Sequence, residues 1–294
     1  MSKTISKNTT AKELAQSISH LVSLPEICHE LDKMMDGPNN NIQAMSKLIC
    51  QDVNLTARLL KLANSSLYGF SGRIDSIPRA ISIIGTTELL ILIMATSTMM
   101  TFNKIPGSFF NMAGFWRHSV YCGVFARHLA KTCNVLHPER LFIAGLMHDL
   151  GLLAICNNYP DTANQIFSEL RKSETPTNKT IYEIEHQLFG FDHAEVGKEL
   201  AIKWHLPTYL QDSIYYHHHL EEAEKPVLDA AIIHIASEVT HSIESGATGD
   251  IQEEISDIAW SLTGLNKDDV DDLHDLALAE FEEMLGILLP SIAR

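Results

Sequence analysis

At 294 residues the chain can bury roughly three quarters of the surface it exposes when unfolded, enough for one large domain or two modest ones without disulfide staples. Its 45% hydrophobic and 20% charged content argues against wholesale disorder and against a membrane protein. The net charge of −15 argues against nucleic acid and anionic lipid as partners, because both are captured by clustered Lys and Arg.

The first sixteen residues, MSKTISKNTTAKELAQ, carry basic side chains but no apolar stretch behind them, so no secretory signal is expected. Cys28, Cys50, Cys122, Cys133 and Cys156 are far apart and read as reduced core residues, which places the protein in the cytoplasm. The most apolar window, residues 89–95, is too short to cross a bilayer. Apolar residues recur at helical spacing almost everywhere, so the fold class reads as all-α.

Helix starts are marked at residues 23–26 and by Pro78, Pro138, Pro207 and Pro226, and breaks by residues 68–69, 104–107 and 157–160. The chain divides into an N-terminal segment (1–19), a main body (20–243) and a C-terminal helical extension (244–294). The body has two helical parts, 20–112 and 113–243. A flexible joint is expected at 245–249, with helices over 251–262 and 268–289. The last is amphipathic, with Val270, Leu273, Leu276, Leu278, Phe281, Leu285 and Leu288 as its apolar set, and its acidic first turn suits the helix dipole. It reads as packing back on the body rather than as a free arm, and Phe281 and Leu285 are candidate contacts of a homodimer.

Residues 141–153, LFIAGLMHDLGLL, form an apolar run interrupted by His148 and Asp149. A carboxylate in such surroundings must be matched by a cation or by hydrogen-bond donors, and a metal ion is one such match. The dipeptide alone is weak, since His274-Asp275 repeats it on the acidic tail. Its company is more telling. Phe115, His118, Cys122, Phe125 and Leu129 share a helical stripe that turns His118 inward and leaves His128 off it. Asp192 reads as the N-cap of a helix from His193 to Trp204, on which His193 faces inward and Gly197 permits close approach. After Pro207, Leu210, Ile214 and His217 share a side, which puts His218 at the boundary and His219 in water. Any one of these histidines reads more readily as a structural residue. Taken together, His118, His148, Asp149, His193, His217 and His218 form a donor set suited to Fe, Mn or Zn, sufficient for two neighbouring ions. Such a pair activates water and clamps phosphoryl groups.

These residues carry a family resemblance. In the first part, Leu24-Pro25, residues 52–69 (DVNLTARLLKLANSSLYG) and 77–85 (IPRAISIIG) resemble the signature of the HDOD proteins, a branch of the HD-domain superfamily of metal-dependent phosphohydrolases. Residues 115–119 (FWRHS), 144–151 (AGLMHDLG), 192–197 (DHAEVG) and 214–218 (IYYHH) continue it in order. The resemblance implies an N-terminal helical subdomain packed on an HD-like helical subdomain. It also implies that the six residues named above are metal ligands, with Asp149 bridging two ions in any catalytic role. Three departures stand out. Leu152 follows Gly151 where catalytic relatives carry Lys, Ser237 stands where a closing Asp is expected while Glu238 points about 100° away, and a Gly-Tyr-Pro element is missing.

HDOD proteins are chiefly regulatory, so the resemblance implies a signal-transduction protein with protein partners that keeps a metal pocket with little or no turnover. The rival expectation is an active phosphohydrolase acting on a nucleotide or other small phosphorylated ligand. A third is a helical scaffold with hydrogen-bonded histidines.

Overall fold

The structure is a computed structural model and describes residues 4–5, 9–19, 26–36, 41–101, 110–172, 180–245 and 255–290. Every regular element among the described residues is helical, as the periodicity predicts. Leu24-Pro25, the break at 104–107 and most of the joint at 245–249 lie outside them. The joint's first residue, Ser245, ends a helix.

α1 (Ala11–Ser19) begins the chain, and α2 (Glu26–Asp36), α3 (Ile42–Ile49), α4 (Val53–Ala63), α5 (Ile77–Ile84) and α6 (Thr86–Thr101) follow. Asp52 caps α4 by accepting from the backbone of Asn54 and Leu55, and Asn64 closes it by donating to the Leu60 and Ile74 carbonyls. The signature at 52–69 is therefore a helix with both ends satisfied. In α6, Leu89 to Ala95 are all buried and no polar stripe exists, because the helix is packed on more than one side, by α2, α5 and α8.

The second part is organised around α7 (Met112–Thr132), which packs against α8 (Glu139–Met147), α14 (Leu228–Ser245) and the terminal helix α16 (Lys267–Leu288). Between α8 and α14 run α9 (Leu150–Asn158), α10 (Pro160–Lys172), α11 (Ile181–Phe189), α12 (His193–Lys203) and α13 (Thr208–Tyr216), and α15 (Asp257–Thr263) precedes α16. α6 packs on α8 and joins the two parts. The N-terminal α1 is not peripheral: it packs on α12, and the Ile5 amide donates to Thr162 Oγ1 at 3.1 Å.

Residues 139–158 are apolar and long enough for a bilayer, but 89% of that stretch is buried inside the fold, and His148-Asp149 divides it into α8 and α9. Cys28, Cys122 and Cys156 are buried as expected. Cys50 is exposed instead, because it caps α3 at the surface.

The C-terminal expectations need correction. The described part of the penultimate helix begins at Asp257, behind the Ser256 cap, rather than at 251. Phe281 and Leu285 are buried in this chain's own core, Phe281 against Tyr121 of α7, so they are not available to a second copy. Leu276 and Leu278 are 59% and 45% exposed, because α16 turns only one side toward α7 and these two lie off it.

One buried ion pair ties the terminal helix down. Arg127 donates through Nη1 to both carboxylate oxygens of Glu280 at 2.7 Å and through Nη2 to the Ser66 carbonyl at 2.7 Å, while His128 Nε2 lies 2.9 Å from Glu280 Oε2. α16, α7 and the turn after α4 meet there. Burial alone would raise the Glu280 pKa, but His128 and Arg127 hold it below the ordinary value. Glu280→Ala would strand a buried guanidinium and is expected to cost about 3–5 kcal/mol of unfolding free energy, read as a lowered urea midpoint with an unchanged slope.

Candidate metal centre

The helix break at His148-Asp149 creates the site. α8 ends at Met147, Asp149 leaves helical geometry with φ −93° and ψ 21°, and α9 restarts at Leu150. The two side chains are thereby released from an otherwise buried apolar wall. α9 can lie this close to α12 only because Gly151 has no side chain: a Cβ there would sit 1.9 Å from the His193 carbonyl oxygen.

Asp149 is the hub. Its Oδ1 lies 3.2 Å from His193 Nε2 and 3.8 Å from His217 Nε2, and its Oδ2 lies 3.3 Å from His148 Nε2. Two donor groups share this carboxylate. Asp149, His193, His217 and His218 can bring ligand atoms within 4.8 Å of one another, and His118, His148 and Asp149 do the same on its other side. All six residues singled out from the sequence are thus brought together. His118 sits at the rim, with its ring 5.4 Å from that of His148.

The far nitrogens are held. His148 Nδ1 donates to the Gly145 carbonyl at 2.7 Å and His217 Nδ1 to the Ile214 carbonyl at 2.8 Å. His193 Nδ1 is 2.6 Å from Glu185 Oε2, and His118 Nδ1 is 3.0 Å from Glu244 Oε2. Each of these four rings therefore turns Nε2 toward the centre, the orientation that outer carbonyls and carboxylates impose on metal-binding imidazoles. The buried Nε2 atoms of His193 and His217 have no hydrogen-bond partner. Orphaned imidazole nitrogens facing a shared carboxylate fit a divalent transition metal ion.

The electrostatics of three imidazoles suit ligation, and those of His193 oppose it. Burial and neighbouring imidazoles lower the pKa values of His148, His217 and His218, keeping them neutral and able to ligate. Burial opposes ionisation of Asp149, but His148 and His193 hold its pKa well below the ordinary value. Burial likewise opposes protonation of His193, yet Glu185 and Asp149 raise its pKa well above normal.

Three participants were not singled out from the sequence: Glu185, Glu244 and Tyr182, whose ring stacks on His218 at 4.3 Å. Only Glu185 left a trace there, as an acidic residue beside the apolar Ile184 on α11, and Ile184 is buried. His219, expected in water, is buried, with Nε2 2.7 Å from Asp192 Oδ2. α13 ends at Tyr216, so helical spacing no longer governs where residue 219 points. Asp192 does cap α12, in a capping box with Glu195. His274, of the second His-Asp dipeptide, bonds Tyr121 and lies outside the cluster.

A cavity of about 430 Å³ opens onto Asp149. Phe115, Phe167 and Tyr182 form aromatic walls, and Leu152 lines it as well. Ser237 and Glu238 both face this space, so Glu238 is not turned away from the pocket as expected. Ser237 Oγ lies 3.4 Å from His148 Nε2, at the position where the resemblance led to the expectation of an Asp.

The profile of the HDOD domain matches residues 21–220, well over half of the chain. The chain belongs to the HDOD family. An HDOD domain protein of unknown function from Geobacter sulfurreducens is similar in structure, with a TM-score of 0.70 and 26% identity over 95% of this chain and 98% of that one. A candidate phosphohydrolase from Shewanella amazonensis SB2B shares the fold at a TM-score of 0.69 and 24% identity, covering 95% and 100% of the two chains. An uncharacterized protein of Treponema pallidum (strain Nichols) is 27% identical over 222 residues, 74% of this chain and 42% of the relative. This HDOD chain therefore spans less than half the length of that relative.

Glu185 and Asp149 raise the pKa of His193, and ligation through Nε2 requires loss of the second proton that this shift favours. Metal uptake is expected to release protons and to weaken as the pH falls below the raised pKa of His193. Glu185→Gln frees His193 of part of that proton but loosens the ring. Metal titrations at several pH values should show affinity about 10–100-fold weaker at high pH and a shallower pH dependence.

Proposed function

We propose that this HDOD protein is a signal-transduction component whose HD-type pocket holds divalent transition metal, two ions astride Asp149, with little or no turnover. The observation that carries the metal reading is the set of Nε2 atoms fixed toward one carboxylate, two of them buried and unpartnered. Each Asp149 oxygen faces a different donor group, which supports two ions rather than one. Iron, manganese and zinc are the candidates that imidazole and carboxylate suit.

A divalent ion bound there would supply Lewis acidity toward a phosphoryl oxygen. The chain's own residues argue against efficient use of it. Ser237 offers a hydroxyl where a further carboxylate would complete the set. Leu152 lines the cavity where a cation would grip a phosphate, and Glu238 and Glu244, facing the same space, repel one. A protein that binds metal in this way serves better as a regulated surface read by protein partners than as a catalyst. The rival reading, hydrolysis of a nucleotide or small phosphate ester, draws on the cavity in front of Asp149 and its near-complete ligand set.

Metal analysis of untagged protein purified without chelator, coupled to a phosphatase assay on a broad ester panel, separates these. The regulatory reading expects bound metal, reduced in His148→Ala, with no turnover above background. It further expects Ser237→Asp combined with Leu152→Lys to tighten metal retention and to introduce measurable hydrolysis. Steady turnover by the wild type would establish the enzyme instead, and a metal-free wild type would leave only the scaffold.

A further inference from the structure

Behind the metal centre lies a second group of ligating side chains that the HD-type site does not use. The chain passes between the two sites twice, at Asp192-His193 and at His218-His219. In each dipeptide one residue, His193 or His218, belongs to the Asp149 cluster, and the other, Asp192 or His219, belongs to a second cluster that also contains His186. His186, Asp192 and His219 can bring ligand atoms within 4.8 Å of one another.

The atoms are arranged as a cation needs them. Asp192 Oδ1 is committed to capping α12, accepting from the Glu195 amide at 3.1 Å, which leaves Oδ2 for the cluster. His219 Nε2 and His186 Nε2 approach that same oxygen at 2.7 and 3.5 Å. Ligand atoms bonded to one transition-metal ion at about 2.0–2.2 Å lie about 3.0–3.5 Å apart, so of these two distances the first must open, by a few tenths of an ångström. His219 Nδ1 has Glu222 Oε1 at 3.7 Å behind it, a carboxylate placed to orient the ring. Glu195 Oε1 lies 3.6 Å from His186 Nε2.

Access and field favour a cation as well. His186 and His219 line an open cleft of about 990 Å³ whose wall includes Glu183, Glu221, Glu222 and Asp257, with no Lys or Arg among the described residues. Asp192 is buried behind His219, whose Nε2 lies 2.7 Å from its Oδ2, while His186 is 44% exposed and can swing to complete the site. Two imidazoles and one carboxylate with positions left open to solvent suit zinc, nickel or cobalt better than magnesium or calcium, which prefer all-oxygen shells.

We propose that His186, Asp192 and His219 form a second divalent transition-metal site, separate from the Asp149 centre and loaded from the cleft that His186 and His219 line. It does not depend on the inner centre being occupied.

Metal-free full-length protein would be titrated with Zn²⁺ by equilibrium dialysis in the wild type, His148→Ala, His186→Ala and Asp192→Asn. His186 is exposed and Asn caps helices as well as Asp does, so both outer variants keep the fold, checked by circular dichroism. His148→Ala is expected to lose only the inner ion that His148 would hold and to keep the outer Zn²⁺. His186→Ala and Asp192→Asn are expected to weaken that outer ion by at least about tenfold. Zn²⁺ uptake by both outer variants equal to the wild type in amount and affinity would overturn the outer site. If the inner reading alone fails, the wild type binds a single Zn²⁺ that is insensitive to His148→Ala and lost in His186→Ala.

Discussion

A carboxylate placed among buried apolar helices must find its countercharge nearby, and the site is built around how Asp149 finds it. The side chain is nearly enclosed, with His148, His193 and His217 presenting Nε2 to its two oxygens. No other side chain among the described residues lies close enough to Asp149 to form an ion pair. Four rings are held from behind, two by backbone carbonyls of their own helices and two by Glu185 and Glu244. The centre is thus pre-oriented by α8, α11, α13 and α14, and a change in any of those outer acceptors alters the geometry at Asp149 without touching it.

Close helix packing is the condition for that arrangement. Gly151 meets the backbone of His193, and Gly123 on α7 meets Gly145 on α8, where an added Cβ would lie 2.6 Å from backbone atoms. These contacts fix the helix axes that bring His193, His148 and His118 to one point. The Arg127–Glu280 pair acts at longer range, holding α16 against the α7 that carries His118.

Much of this was legible in the sequence, and the misses have physical causes. Helical spacing turned His118, His193 and His217 inward correctly, because each lies on or directly beside a regular helix. The Asp192 cap was readable because Asp followed three residues later by Glu is a local signal. His219 was misplaced because the chain leaves helical geometry after Tyr216, where periodicity carries no information. Glu185 and Glu244 were missed because their partners are 8 and 126 residues away, and the sequence carries no local pattern that pairs them with those partners. The terminal helix does pack back on the body as read, but Phe281 and Leu285 were offered as dimer contacts for want of knowledge of α7, against which α16 closes.

The claim on which this account stands is that Asp149 bridges metal ions. Crystals grown with Zn²⁺ or Mn²⁺ and measured across the metal's absorption edge test it directly. The account predicts two anomalous peaks about 3.5–4 Å apart, one on each side of the Asp149 carboxylate, the first within bonding distance of His193 and His217 and the second of His148. Full-strength diffraction with no anomalous peak within about 2.5 Å of an Asp149 oxygen would contradict it.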